Sequence, residues 1–410
     1  MTRRRSPRRA ARALREFLHT EAAGGAVVVV AVVAALVWAN GPWHHSYHQV
    51  WTWKVPLGLD RLHLDWTLEE WVNDALMAVF FFVVGVEIKR ELTTGHLRDR
   101  RAALVPAVAA LGGMVVPALL FGLIADAQHR HGWGIPMATD IALAVGMVAL
   151  LGDRVPRGLR VFLLALAVAD DIGAIVVIAV FYGGSTRWAW LGLAIATVIA
   201  AAIGVRLRLR PAEIYALLAV FGWYALVRSG VHPTLMGVAF GLVAPVSALE
   251  HLEHMWHRWS SWLIVPVFAL ANSGVELGVH AARSAFTSRL GVGIIVGLVA
   301  GKAVGITVVT ALVVRLGWGP LPDGATWRSL LGVSLFAGIG FTVALFVSVL
   351  AFPGSESLET AKLAVLLGSC LAALAGALVL GSGRRRGAAP QVPNANSYGV
   401  EDLEPVKGEL

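Results

Sequence analysis

Four ionisable side chains sit in stretches that are otherwise apolar. Asp140 closes the run Gly134-Ile-Pro-Met-Ala-Thr-Asp, Asp170 and Asp171 are adjacent in Ala165-Leu-Ala-Val-Ala-Asp-Asp-Ile-Gly-Ala-Ile, and Lys302 follows Gly301. A charge at membrane depth costs several kcal/mol, so each needs a partner or a purpose. Successive residues of a helix point about 100° apart, so Asp170 and Asp171 are not expected to face the same partner. One is expected to line a cation cavity while the other meets a charge on a neighbouring helix, and Lys302 is the basic group deep enough to be that charge. A buried Asp–Lys pair by itself has a lesser alternative reading, as a staple of the fold. Three carboxylates against one ammonium leave an excess of negative charge, which a mobile cation or protons would neutralise. Hard monovalent cations take oxygen ligands, which the carboxylates, backbone carbonyls and the Thr139 hydroxyl supply. Where Na⁺ and H⁺ compete for the same oxygens, exposing that site alternately to each side is sufficient for exchange.

Composition requires that these residues be positioned by a membrane protein. Of 410 residues, 57% are hydrophobic and 15% charged, with mean hydropathy +0.71, whereas a globular protein carries about 25% charged residues. One cysteine, Cys370, excludes an intrachain disulfide framework, and no Cys/His spacing suggests structural zinc. A helix needs roughly 20 apolar residues to cross a bilayer. The pattern predicts an all-α polytopic protein of twelve spans: 24–40, 72–90, 102–124, 134–150, 159–182, 188–205, 213–228, 231–247, 260–278, 290–314, 328–351 and 361–381. The fourth and eighth are short and contain Gly or Pro. With both termini on one side, Lys and Arg favour that side by roughly three to one, as the positive-inside rule expects of cytoplasmic segments. The net charge of +8 is thus mainly an orienting device that also touches anionic headgroups, and nucleic acid is not expected as a partner. Residues 1–20 read as a basic cytoplasmic tail, with a cleaved signal peptide as the lesser alternative. Residues 21–381 read as the membrane domain and 382–410 as a disordered polar tail.

Two spans are expected to be discontinuous. Gly132 to Gly134, Pro136 and Thr139 interrupt the fourth, and Gly338-Ile-Gly-Phe-Thr interrupts the eleventh. Non-helical backbone at membrane depth is tolerated within protein or beside a cavity, and matching interruptions in two halves point to a transporter site. Spans 3–5 and 10–12 are read as two inverted repeats. Gly293, Gly297, Gly301 and Gly305 recur every four residues, a ridge that lets another backbone approach closely. Between the first two spans, alternation in Gln49–Val55 and Leu59–Asp65 about Pro56-Leu57-Gly58 predicts a small periplasmic β-hairpin over about 49–65.

Taken together, Thr139-Asp140-Ile-Ala, Ala-Asp-Asp-Ile-Gly-Ala-Ile, Gly301-Lys302 and Gly338-Ile-Gly-Phe-Thr resemble the NhaA-type Na⁺/H⁺ antiporters of bacterial inner membranes. So do Asn73-Asp-Ala-Leu-Met-Ala-Val-Phe-Phe, Val86-Glu-Ile-Lys-Arg-Glu-Leu, Ser229-Gly-Val-His-Pro-Thr and Leu252-Glu-His, in order from about Leu14 to Leu380. Paired helix breaks are themselves a known property of that family. The resemblance implies electrogenic exchange of internal Na⁺ or Li⁺ for external protons, with no cofactor. It implies Asp171 as the principal cation carboxylate, with Asp170 paired to Lys302 or sharing the site. It places Thr139 and Asp140 where the broken helices cross, with Asp140 and Lys302 offsetting the helix-end dipoles. A pH-sensing cluster maps onto Glu87, Arg90, Glu253, His254 and His257, with His232 more distant. Dimerisation through the outer hairpin is also implied.

Three other classes predict different observations. An intramembrane aspartyl protease would use Asp140 and Asp170, but no Gly-x-Gly-Asp is present and Lys302 would be idle. A retinal-type pump would carry a chromophore on Lys302. A channel would pass Na⁺ without counter-movement of protons.

Overall fold

Long apolar segments fold here as helices whose outer faces stay apolar: Leu123 is 82% exposed and Leu378 72% exposed, which suits lipid and not water. Exposed tryptophans, among them Trp43, Trp188, Trp318 and Trp327, lie at or beside helix ends, where indole rings favour the headgroup level. The structure is a computed structural model that describes residues 7–55, 64–95, 100–209 and 211–382.

The elements in order are α1 (Pro7–Asn40), α2 (His44–Thr52), α3 (Leu68–Thr93), α4 (Arg100–Ile124), a 3₁₀ segment (Ala127–Met137), α5 (Ile141–Leu151), α6 (Arg157–Phe181), α7 (Trp188–Arg206) and α8 (Ala212–Ser229). They continue with α9 (Leu235–Val243), α10 (249–272), α11 (Val279–Thr287), α12 (Arg289–Arg315), α13 (Trp327–Phe336), α14 (Phe341–Ala351) and α15 (Glu356–Gly381). Among the described residues, eight helices are long and apolar enough to cross a membrane, or ten if each of two bent pairs is one span. Both bent pairs coincide with expected breaks. The 3₁₀ segment meets α5 at 48°, and α13 meets α14 at 49°.

Two expected spans are shorter than the apolar pattern suggests. The stretch 231–247 is reduced to the nine residues of α9, because Pro233 and Pro245 flank it and cannot continue a helix. The stretch 260–278 is helical only to Asn272, while α10 extends backwards through Leu249–Trp259. Within the expected N-terminal tail at 1–20, the chain is already helical from Pro7 as the start of α1; residues 1–6 and 383–410 lie outside the described residues. The first hairpin arm is a correction: Gln49–Thr52 belong to α2. Pairing is limited to one antiparallel bridge, Lys54 with Thr67, and the expected turn at 56–63 lies outside the described residues. The side chains of α2 explain the helix. Tyr47 and Trp51 sit one turn apart on its buried face, and the Tyr47 hydroxyl lies 2.8 Å from the carbonyls of Leu270 and Ala271 at the end of α10. Helical period therefore serves this burial better than alternation does.

Around the site, packing depends on small residues. The glycine ridge of α12 faces α4, and Gly112 and Gly305 oppose each other so closely that a Cβ on either would lie 2.6 Å and 2.2 Å from the other's carbonyl oxygen. α4 also packs on α6, so the helix on the ridge is α4, while Lys302 of α12 reaches Asp170 on α6. Among the described residues, three π-helical turns interrupt the regular winding, at Trp71–Leu76, Ser260–Ile264 and Gly297–Gly301, and such turns cluster at functional positions. A Cβ on Gly301 would stand 2.7 Å from Pro117 Cα. Gly301→Leu is therefore expected to lower the melting temperature of the purified protein, by overpacking worth about 1–3 kcal/mol; unchanged melting would contradict this contact.

Candidate functional site

Where the two broken helices cross, half-helix ends lie buried within the protein and need partners there, and Asp140 supplies most of them. Its Oδ1 accepts the Leu143 N–H at 3.1 Å, capping α5. Its Oδ2 accepts the Thr342 N–H at 3.2 Å and the Thr342 hydroxyl at 2.5 Å, capping the first turn of α14. One carboxylate thus caps two N-termini, where partial positive charge from both helices converges. In return the Asp140 N–H donates to the Ile339 carbonyl at 2.7 Å. Ser369 of α15 adds a second cap, accepting the Phe341 N–H at 3.2 Å. The Thr139 hydroxyl lies 2.7 Å from the Ala337 carbonyl and 2.6 Å from Asp170 Oδ2.

Asp170 and Asp171 divide as their 100° separation requires. Asp170 is 1% exposed, and its Oδ2 forms an ion pair with the fully buried ammonium of Lys302. Among the described residues its Oδ1 has no hydrogen-bond donor. Asp171 turns the other way and lines a cavity together with Thr139, Asp140 and Thr342. Phe80, Val84 and Val343 form apolar wall, Gly24 and Val28 of α1 close one side, and Ser260 and Ser261 of the π-helical turn in α10 close another. Lys302 is engaged by Asp170, and the carbonyls flanking the break after α13 are met by Thr139 and the Asp140 N–H. Of the two groups expected to offset helix ends, Asp140 meets the N-termini of α5 and α14, and Lys302 meets Asp170.

The expected sensor residues separate. Glu87 and His257 line the cavity that holds Asp171, and Arg90 pairs with Glu91 at 3.3 Å. The side chains of Glu253 and His254 lie outside the described residues. His232 lies elsewhere. Its Nε2 is 3.3 Å from Asp74 Oδ1 and its Nδ1 is 2.8 Å from the Thr234 hydroxyl, in a second cavity lined also by Trp66, Tyr182, Gly230 and Pro233.

Several residues of the site were not singled out for a role by the sequence. Thr342 closes the quoted motif Gly338-Ile-Gly-Phe-Thr, yet nothing in that motif reveals that its hydroxyl and N–H both serve Asp140. Ser369 and the Ile339 carbonyl come from segments with no unusual composition. At the second cavity, Asp74 is marked in the sequence as an acid within an apolar run, beside Asn73, whose amide exchanges hydrogen bonds with that of Asn272 at 2.8 and 3.5 Å.

Residues 15–380 match the family model described as Na⁺/H⁺ antiporter 1. The chain is 44% identical over 411 residues to Na(+)/H(+) antiporter NhaA 2 of Sorangium cellulosum, covering 88% of each chain. It is 43% identical over 409 residues to Na(+)/H(+) antiporter NhaA of Nocardia farcinica, covering 97% of this chain and 95% of that one. It is 44% identical over 377 residues to Na(+)/H(+) antiporter NhaA of Serratia proteamaculans, covering 88% and 96%. With a multi-pass helical architecture, a crossing of broken helices and a family match over nearly the whole membrane domain, the chain is a membrane transporter and not an enzyme, and it belongs to the Na⁺/H⁺ antiporter 1 family.

Proposed function

We propose that this chain is an electrogenic antiporter that exports Na⁺ or Li⁺ and admits a larger number of protons, by competition of the two ions for buried aspartates. The observation that carries this reading is the split between neighbouring carboxylates: Asp171 lines a cavity while Asp170 is held by Lys302. Asp171 is the principal cation carboxylate. It offers hard oxygen to a small cation, with the Thr139 hydroxyl on the same cavity. Asp170 keeps one oxygen without a donor, which allows it to share a cation or a proton with Asp171. Thr139, Asp140 and Lys302 are supporting groups: Asp140 joins the two capped half-helices, so that a shift of either moves the cavity floor.

In this reading the protein has twelve spans, with α9 and α10 supplying those expected at 231–247 and 260–278, and spans 3–5 and 10–12 are inverted repeats. The near-equal bends of 48° and 49° support that symmetry. Both termini are cytoplasmic in the bacterial inner membrane, so the cavity that holds Asp171, lined also by Glu87 and His257 towards the cytoplasmic ends of their helices, opens inward. Homodimers form through the outer segment 49–65. Glu87, Arg90, Glu253, His254 and His257 form a pH-sensing group; its support is that Glu87 and His257 share a cavity with Asp171. The biological role is sodium and pH homeostasis.

In inverted vesicles, Na⁺ or Li⁺ is expected to dissipate an acid interior and K⁺ is not. Na⁺ flux without proton movement would instead identify a channel. Asp171→Asn is expected to abolish exchange, and normal exchange by that variant would overturn the site assignment. Lys302→Ala leaves Asp170 buried without its counter-charge, a loss expected to cost about 3–5 kcal/mol. A melt on the purified variant should fall accordingly, and current recordings on solid-supported membranes should show altered electrogenicity if the ammonium also contributes to charge movement.

A further inference from the structure

The second cavity ends at a residue that the cation site does not use. Tyr182 stands directly beyond α6, the helix that carries Asp170 and Asp171, and it is 8% exposed although it lines that cavity. Its hydroxyl donates to the His131 carbonyl at 2.8 Å and accepts the Gly134 N–H at 3.1 Å. Both partners belong to the 3₁₀ segment that runs into Thr139 and Asp140. The fit depends on glycine, since a Cβ on Gly134 would lie 2.7 Å from the phenol oxygen. The other side of the same segment rests on Phe352, beyond the end of α14, whose ring would lie 2.8 Å from a Cβ on Gly132. The 3₁₀ segment is therefore clamped between the ends of α6 and α14.

We propose that Tyr182 is the latch of the outer gate, closing the floor of the second cavity by tying the 3₁₀ segment to α6. That this is the outer side rests on the antiport reading and its sidedness, in which residues 130, 187 and 228 face outward. The chemistry suits a latch. Opening it breaks two hydrogen bonds and frees one carbonyl and one N–H, both of which water entering from the cavity can satisfy. The phenol thus adds two hydrogen bonds that hold the segment against the end of α6, and water can replace them when the segment moves away. Tyr182 is thus a positioning residue, acting on Thr139 and Asp140 through the backbone that leads to them.

The test uses the full-length protein with Cys370→Ser and a single cysteine from Met137→Cys, a position 6% exposed and three residues beyond the Gly134 N–H held by the phenol. Right-side-out vesicles are treated with a membrane-impermeant maleimide. Tyr182→Phe keeps the ring and removes both bonds, and labelling is expected to accelerate roughly fivefold, the ratio that corresponds to one net hydrogen bond. Gly134→Ala displaces the phenol from the opposite side and should accelerate labelling in the same direction. Equal labelling rates in parent and both variants overturn the latch, as does a drop in melting temperature with no change in labelling. Because labelling requires no transport, failure of the antiport reading is seen separately, as absent Na⁺-dependent proton movement in vesicles of the parent.

Discussion

Helix ends at membrane depth cannot be left to solvent, and the structure is organised around that constraint. Two half-helices begin at the crossing, α5 and α14, and each brings backbone N–H groups without intrahelical partners. A neutral cap on each would have sufficed for hydrogen bonding. The single carboxylate of Asp140 does more, because it joins the two ends to each other and sets one negative charge against two positive dipole ends. The crossing therefore has a definite geometry although its backbone is irregular. Ser369 and the Ile339 carbonyl extend the same arrangement to α15 and to the link between α13 and α14.

Positioning of the aspartates follows from packing around that crossing. α12 lies against α4 because glycine meets glycine, and α4 lies against α6. Lys302 thereby arrives beside Asp170 with no exposure at all. Once that pair forms, helical geometry alone turns Asp171 toward the cavity. A buried pair of this kind is weak evidence of net stability, but removal of one partner is costly. The pair ties α6 to α12.

Much of this was legible in the sequence because the signals were anomalies against an apolar background. Asp140, Asp170, Asp171 and Lys302 stood out by charge, and the broken helices by Gly and Pro clusters; the structure brings all of these residues to one place. What was not legible depends on partners remote in sequence. Alternation in Gln49–Val55 suggested a strand, but Tyr47 and Trp51 bury against the end of α10, which only the folded chain brings near. Hydropathy gave a short span over 231–247, and Pro233 and Pro245 shorten the helix further, to α9. Thr342 carries no chemical peculiarity at all, and its role appears only once Asp140 lies across from it. The resemblance set His232 at a distance from the other expected sensor residues, and in the fold it lies beside Asp74 at a different cavity.

Thr139 has one further consequence, which is a matter of counting hydrogens. Its hydroxyl lies within bonding distance of two acceptors, Asp170 Oδ2 and the Ala337 carbonyl, yet it owns a single hydrogen. While Asp170 is ionised, that hydrogen serves either the carboxylate or the backbone, and the other acceptor loses this donor. A protonated Asp170 supplies the missing hydrogen, so that the carboxyl donates to Thr139 and Thr139 donates to Ala337 in an unbroken chain. The occupancy of a side chain on α6 is thus written into the hydrogen bonding of a carbonyl just beyond α13, through one oxygen atom.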